Sequence, residues 1–173
     1  MNVQAAKASI DTYFASEASE MYVLIIAGVG LAILAGLVFT LLSGRFSQVF
    51  AAGLLALALL HVGTGIGLLV RDKGNHAQLN AVLDAPVNQA TIERVRAEQD
   101  RVKVILGSYR NLEYMFAGFA VAGAGLILFW PAPVGMALSA LLFIVSFNGV
   151  LIDHYSKQRA TTYYHDLTAA LRS

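Results

Sequence analysis

His61, Thr64, Ser146 and Asn148 are polar side chains set inside long uncharged stretches, and Glu113 and Tyr114 stand at the edge of another. Hydrogen-bonding and ionisable groups at membrane depth are costly, and they mark ion or proton paths unless they fix helix packing. His61 and Asn148 each lie about 15 residues from the outer turn that opens their stretch, so at ~1.5 Å per residue they share a level. Thr64 is one turn beyond His61, Ser146 is two residues from Asn148, and Glu113 with Tyr114 falls near the same level. Two readings follow. In one, His61 exchanges protons with Glu113 as a carboxylate relay, oriented by Asn148 and Tyr114. In the other, His61 is satisfied by Asn148 or a hydroxyl and sets helix register.

Other chemistry finds little footing. The chain has no cysteine, which removes disulfides, thiolate metal sites and thiol nucleophiles. His154 lies roughly 9 Å deeper than His61 at the helical rise, so the two do not share a level as axial haem ligands must. His76 and His165 lack ligand-like spacing. There is no zinc-protease helix motif, nucleophile elbow or phosphate-binding loop. Gly63, Gly65 and Gly67 have the spacing of a nucleotide-binding turn but lie in a hydrophobic run with no strand before it. No catalytic residue, metal or cofactor is expected.

The elements that position these groups are unusually plain. No charge occurs from Met21 to Gly44, from Phe46 to Val70, or from Tyr114 to Ile152, and Trp130-Pro131-Ala132-Pro133 divides the last run. A hydrocarbon core about 30 Å thick needs roughly 20 apolar residues in a helix. Four transmembrane spans follow, at about 21–43, 46–70, 112–130 and 134–153. The 173 residues form a single domain, 57% hydrophobic and only 13% charged. The acidic start of the chain has Lys7 as its one basic side chain, so the first span reads as a retained helix and not as a cleaved signal.

Of the twelve Lys and Arg residues, Arg45 alone falls on the outer side of these spans. The positive-inside rule then puts both termini and the middle connection in the cytoplasm, and the short turns and composition fit a bacterial inner membrane. Tyr22, Tyr109, Tyr114 and Tyr155 fall at the inner ends and Phe46, Phe129 and Trp130 at the outer ends, as interfacial belts do.

Beyond the spans the helical pattern continues. Val3, Ala6, Ile10, Tyr13, Phe14 and Met21 form one stripe. Ile92, Val95, Gln99, Val102, Leu106 and Tyr109 form another, and Ile152, Tyr155, Ala160, Tyr163, Tyr164, Leu167 and Leu171 a third. Asp84-Ala85-Pro86 is the strong breaker between two arms, with Asn88 as a new helix start, and Gly74-Asn75 is a weaker candidate break. Extensions at about 2–20, 71–83, 88–111 and 154–171 follow. The expected fold is an all-α integral membrane protein: an antiparallel up-down-up-down four-helix bundle, its four transmembrane helices extended into a cytoplasmic helical stalk. A basic face would favour a first segment lying flat on the membrane, but that segment has one Lys and three acids.

Charges from Glu93 to Lys103 read as a solvated face with helical ion pairs, among them Arg94 with Glu98 and Glu98 with Arg101. Glu20, Arg71, Asp72, Arg110, Glu113, Asp153 and His154 form a collar of mixed sign where the spans end. Gly63, Gly67, Gly118, Gly135 and Ser139 are the expected close-packing positions, since small residues let helix backbones approach in lipid. These features suggest a non-catalytic inner-membrane protein of assembly, accessory or immunity type. It would act through helix–helix contacts with a membrane-protein partner or as a homo-oligomer, with the lipid bilayer as its environment and no nucleic acid. The alternative is a small homo-oligomeric ion or proton channel using the His61, Asn148 and Glu113 cluster.

Overall fold

The computed structural model describes all of residues 1–173 as an all-helical chain of four long helices and no strand. They are α1 (Val3–Leu41), α2 (Arg45–Leu83), α3 (Gln89–Phe129) and α4 (Pro133–Arg172). Each is long and apolar enough to cross a membrane, and no more than 28% of any of their apolar stretches is buried. Gly74 and Asn75 do not interrupt α2, whose tertiary setting outweighs the weak helix propensity of one glycine.

The ends follow from local chemistry. Asn2 Oδ1 accepts the Ala5 amide at 3.1 Å, capping α1. Gly44, at φ 107°, makes the left-handed turn after α1, a conformation that costs any side-chain-bearing residue more. Ser47 then donates to the Gly44 carbonyl at 2.8 Å. Asn88 caps α3 by accepting the Thr91 amide at 3.0 Å, with the Asn88 amide turned back to the Thr91 hydroxyl at 3.4 Å. Pro133 takes the first position of α4, where its missing amide hydrogen is not needed.

The chain divides into two compact units. A polar unit comprises Met1–Glu20, Gly67–Arg110 and His154–Ser173; an apolar unit comprises Met21–Ile66 and Asn111–Asp153. In the polar unit, Ala6, Ile10, Tyr13, Phe14, Leu79, Leu83, Val95, Val102, Ala160, Tyr163 and Leu167 are buried. Tyr13 of α1 stacks on Tyr163 of α4 with centroids 4.1 Å apart, and Phe14 stacks on His76 of α2 at 5.1 Å. The first twenty residues are thus packed against two other helices and are not a separate surface helix. Tyr155, expected in the α4 stripe, is exposed instead.

In the apolar unit the core is thin. Ala35, Leu54 and Leu141 are its buried centre, with Leu31, Val38, Phe50, Leu57 and Ile144 around them. Large apolar side chains such as Ile26, Ile33, Phe39, Leu59, Val121, Leu128 and Phe147 are exposed. In water so much exposed hydrocarbon would be an aggregation surface.

Candidate functional site

The six polar residues expected to converge all belong to the apolar unit, and the bonds of His61 and Ser146 run to main-chain carbonyls. His61 is half-buried, and its Nδ1 lies 2.8 Å from the Leu57 carbonyl of its own helix. Ser146 is buried and donates to the Phe116 carbonyl of α3 at 2.8 Å. Asn148 is half-buried, whereas Thr64 and Glu113 are exposed and Tyr114 is 70% exposed. Equal depth along two helices does not imply a shared face, because each residue turns the side chain by about 100°.

Within one copy of the chain, only some of the small residues expected at helix contacts lie at one. A Cβ added at Gly63, Gly67 or Gly118 would meet open space. In this stretch of α2 the close approach to a neighbouring backbone is at Gly65, between them, where an added Cβ would sit 3.1 Å from the Met21 carbonyl of α1. At Gly28 it would sit 2.9 Å from the Ala58 carbonyl, and at Gly123 3.3 Å from the Ser139 carbonyl. Gly135 is tight too, but against Trp130 of its own turn. Ser139 is buried as expected and donates to the Gly123 carbonyl at 2.7 Å. The Gly63-xxx-Gly67 spacing was real, but the helix is rotated so that the intervening glycine faces the neighbour.

The densest chemistry lies in the polar unit, on the face read as solvated. Glu98 of α3 is only 4% exposed. Arg101 holds it with two parallel bonds, Nε to Oε2 at 2.8 Å and Nη2 to Oε1 at 2.7 Å, and the Tyr163 hydroxyl of α4 donates to Oε1 at 3.2 Å. The Glu98–Arg101 pair was legible from spacing; its burial was not. Arg94, expected with Glu98, reaches Gln78 of α2 at 3.3 Å. One turn of α4 away from Tyr163, Arg159 bridges two carboxylates of α1. Its Nε and Nη2 lie 3.3 Å from Glu17 Oε1, and it is ion-paired to Glu20. Asp72 of α2 is buried as well, with Arg71 at 2.8 Å. All four helices therefore bring charged groups into this interior.

Burial sets the protonation here. Desolvation pushes the Glu17 carboxyl above its ordinary range; Arg159 pulls it back and the Asp72 charge pushes it up further. Desolvation, followed by the charge of Glu17, raises the Tyr13 hydroxyl; desolvation and then Glu98 raise that of Tyr163, so both keep their protons. The bond to Glu98 outweighs desolvation and raises Arg101, which stays charged.

A second polar cluster joins α1 to α2. His76 Nε2 lies 2.6 Å from Asp11 Oδ1, and Asn80 donates to the same oxygen at 3.0 Å. Those bonds, with Asn80 the larger contributor, hold the Asp11 carboxyl below its usual range. Nearer the end of the unit, Lys7 pairs with Asp84. No group of three or more His, Asp and Glu is arranged to hold a metal ion.

Beside the charged interior, α1 and α4 leave an open groove of about 790 Å³. Ala5, Ala8, Ser9 and Thr12 line one wall, Thr162, Asp166 and Ala169 the other, with Tyr13, Tyr163 and Arg159 also contributing. Neither groove nor buried network stands out in the sequence. The available signal is that Glu98 continues the Val95–Val102 stripe and Glu17 continues the Ile10–Tyr13–Phe14 stripe, so acids occupy core positions. No family model matches this chain, no curated protein matches it in sequence, and no solved structure matches its fold.

Proposed function

We propose that the chain is a non-catalytic, membrane-spanning accessory protein that binds a membrane-protein partner, or a second copy of itself, through the groove between α1 and α4. In this reading the four helices form an antiparallel up-down-up-down bundle. The segments of the apolar unit cross a bacterial inner membrane, and both termini and the α2–α3 connection lie in the cytoplasm. Opposed contact order supports antiparallel neighbours. Along α1, Lys7, Asp11 and Phe14 meet Asp84, Asn80 and His76 in descending order, and Ser9, Tyr13 and Glu17 meet Asp166, Tyr163 and Arg159 likewise. Exposed hydrocarbon on the apolar unit supports the bilayer, and the charge asymmetry supports the orientation.

The observation that carries a binding role is the groove itself, next to charged groups already committed to one another. Tyr163 on Glu98 and Arg159 on Glu17 and Glu20 hold helices together, and Arg101 neutralises Glu98 within α3, an arrangement suited to rigidity more than to turnover. The small side chains of the groove walls admit a helix at close range, and their hydroxyls offer bonds to it.

A photo-crosslinking residue placed singly at Thr12 and at Thr162 tests this in native membranes. A discrete crosslinked product from both positions, with none from exposed Asp100, is expected. Uncrosslinked chain at both, together with proton flux in liposomes that disappears in His61→Ala, would overturn the binding role in favour of a channel.

A further inference from the structure

We propose that Arg159, Glu17 and Glu20 form a pH-sensitive clamp that fastens α4 to α1 beside the groove, closed when one of the carboxyls holds a proton and loosened when both are ionised. One guanidinium serves two carboxylates on successive turns of α1. Glu17 is buried, and Glu20, half-buried, is in direct ion-pair contact with Arg159 through Oε2. Two negative charges, one buried and one half-buried, against one positive charge leave an excess that water screens only weakly.

The surroundings do not remove that excess. From α2, Asp72 adds a further negative charge, and its counterion Arg71 is an exposed side chain. From α3, Arg101 is the cation that faces Glu17, but its two strong bonds belong to Glu98. From α1 itself, Tyr13 is a buried neutral hydroxyl, as is Tyr163 from α4. Tyr109 of α3 adds a third buried phenol beside Tyr13. Arg159 is thus a cation in direct contact with both carboxylates.

The direction follows from linkage. The Glu17 carboxyl lies above its ordinary range, chiefly through desolvation, so the folded unit binds this proton more tightly than the unfolded chain does. Its stabilising share is fully present below the ordinary glutamate range and is lost as pH rises through the raised value. Once Glu17 is ionised, any opening that brings it water is favoured. The groove supplies the short route, because Ser16 and Arg159, which flank Glu17 in sequence and in space, line its wall. As regulation of partner binding, the clamp rests on the groove being the docking surface; as a device it does not, and its test needs no partner.

The chain lacks cysteine, so single thiols can be placed cleanly. Ser16→Cys reports the groove beside the clamp, and Asn88→Cys, at an exposed helix cap, corrects for the thiol's own titration. The full chain in lipid nanodiscs is labelled with a maleimide from about pH 5 to about pH 9. The Ser16→Cys rate, divided by the Asn88→Cys rate, is expected to rise roughly threefold or more across the window. Adding Glu17→Gln should abolish the rise. Adding Asp72→Asn, which removes a repelling charge, should move it to lower pH. A flat ratio in the otherwise native chain would overturn the clamp, and so would an unchanged rise in Glu17→Gln. Where Glu17→Gln misfolds, as judged by helical circular dichroism, the Asp72→Asn shift decides, and its absence overturns the proposal. A working clamp with no crosslinked partner would leave the device standing and remove only its regulatory use.

Discussion

The same four helices are held together by two different chemistries. In the polar unit, contacts between helices are long side chains that meet: stacked tyrosines, a tyrosine hydroxyl on a buried glutamate, and an arginine spanning two glutamates. In the apolar unit, contacts are short. Glycines at 28, 65 and 123 bring backbones close, and Ser139 and Ser146 donate to carbonyls of α3. The contrast follows from the solvent each surface suits. Where water is outside, burying apolar and aromatic area drives association, and charges can be recruited into the interior if paired. Where hydrocarbon is outside, burying Leu against Leu gains little, so close packing and main-chain hydrogen bonds must supply the specificity.

The contrast is sharpest at Glu98. Glu98→Ala leaves Arg101 and the Tyr163 hydroxyl without their shared acceptor and should cost about 3 kcal/mol, read from reversible unfolding in mixed micelles. A loss below about 1 kcal/mol would put the pair among ordinary surface ion pairs and erase the distinction.

Gly28→Ala tests the other side. Its methyl would press on the Ala58 carbonyl and the side chains of His61 and Val62, so a cost of about 1–3 kcal/mol is expected in the same assay. If Gly28→Ala is silent, close backbone approach is not what holds the apolar unit. Gly63→Ala is the matched control on the open face and should change stability by no more than about 0.5 kcal/mol. A larger loss there, with the monomer otherwise intact, would point to a second copy packed on that face.

Much of the architecture was legible. Uncharged runs, two proline-marked breaks and Gly44 with Arg45 delimit four helices to within two residues of their observed ends, because helix termination is a local event. The stripes through Ile10 and Tyr13, Val95 and Val102, and Tyr163 and Leu167 marked buried faces, since a 3.6-residue period is itself a statement about one side of a helix. The site was far less legible. His61 and Asn148 attracted attention as rare polar groups in apolar runs, yet His61 bonds along its own helix and Ser146 to a neighbouring main chain. Glu98 and Glu17 looked like ordinary members of charged segments, because charge type says nothing about which way a side chain turns.

Sequence alone therefore determined the number, length and ends of the helices and the apolar character of their middle stretches. These depend on composition, periodicity and capping within a few residues. Tertiary structure decided which glycine of Gly63, Gly65 and Gly67 meets a neighbour, which acids are buried, and that one arginine of α4 serves two carboxylates of α1. Those outcomes depend on how each helix is rotated about its axis, and that rotation is set by all its neighbours packing at once.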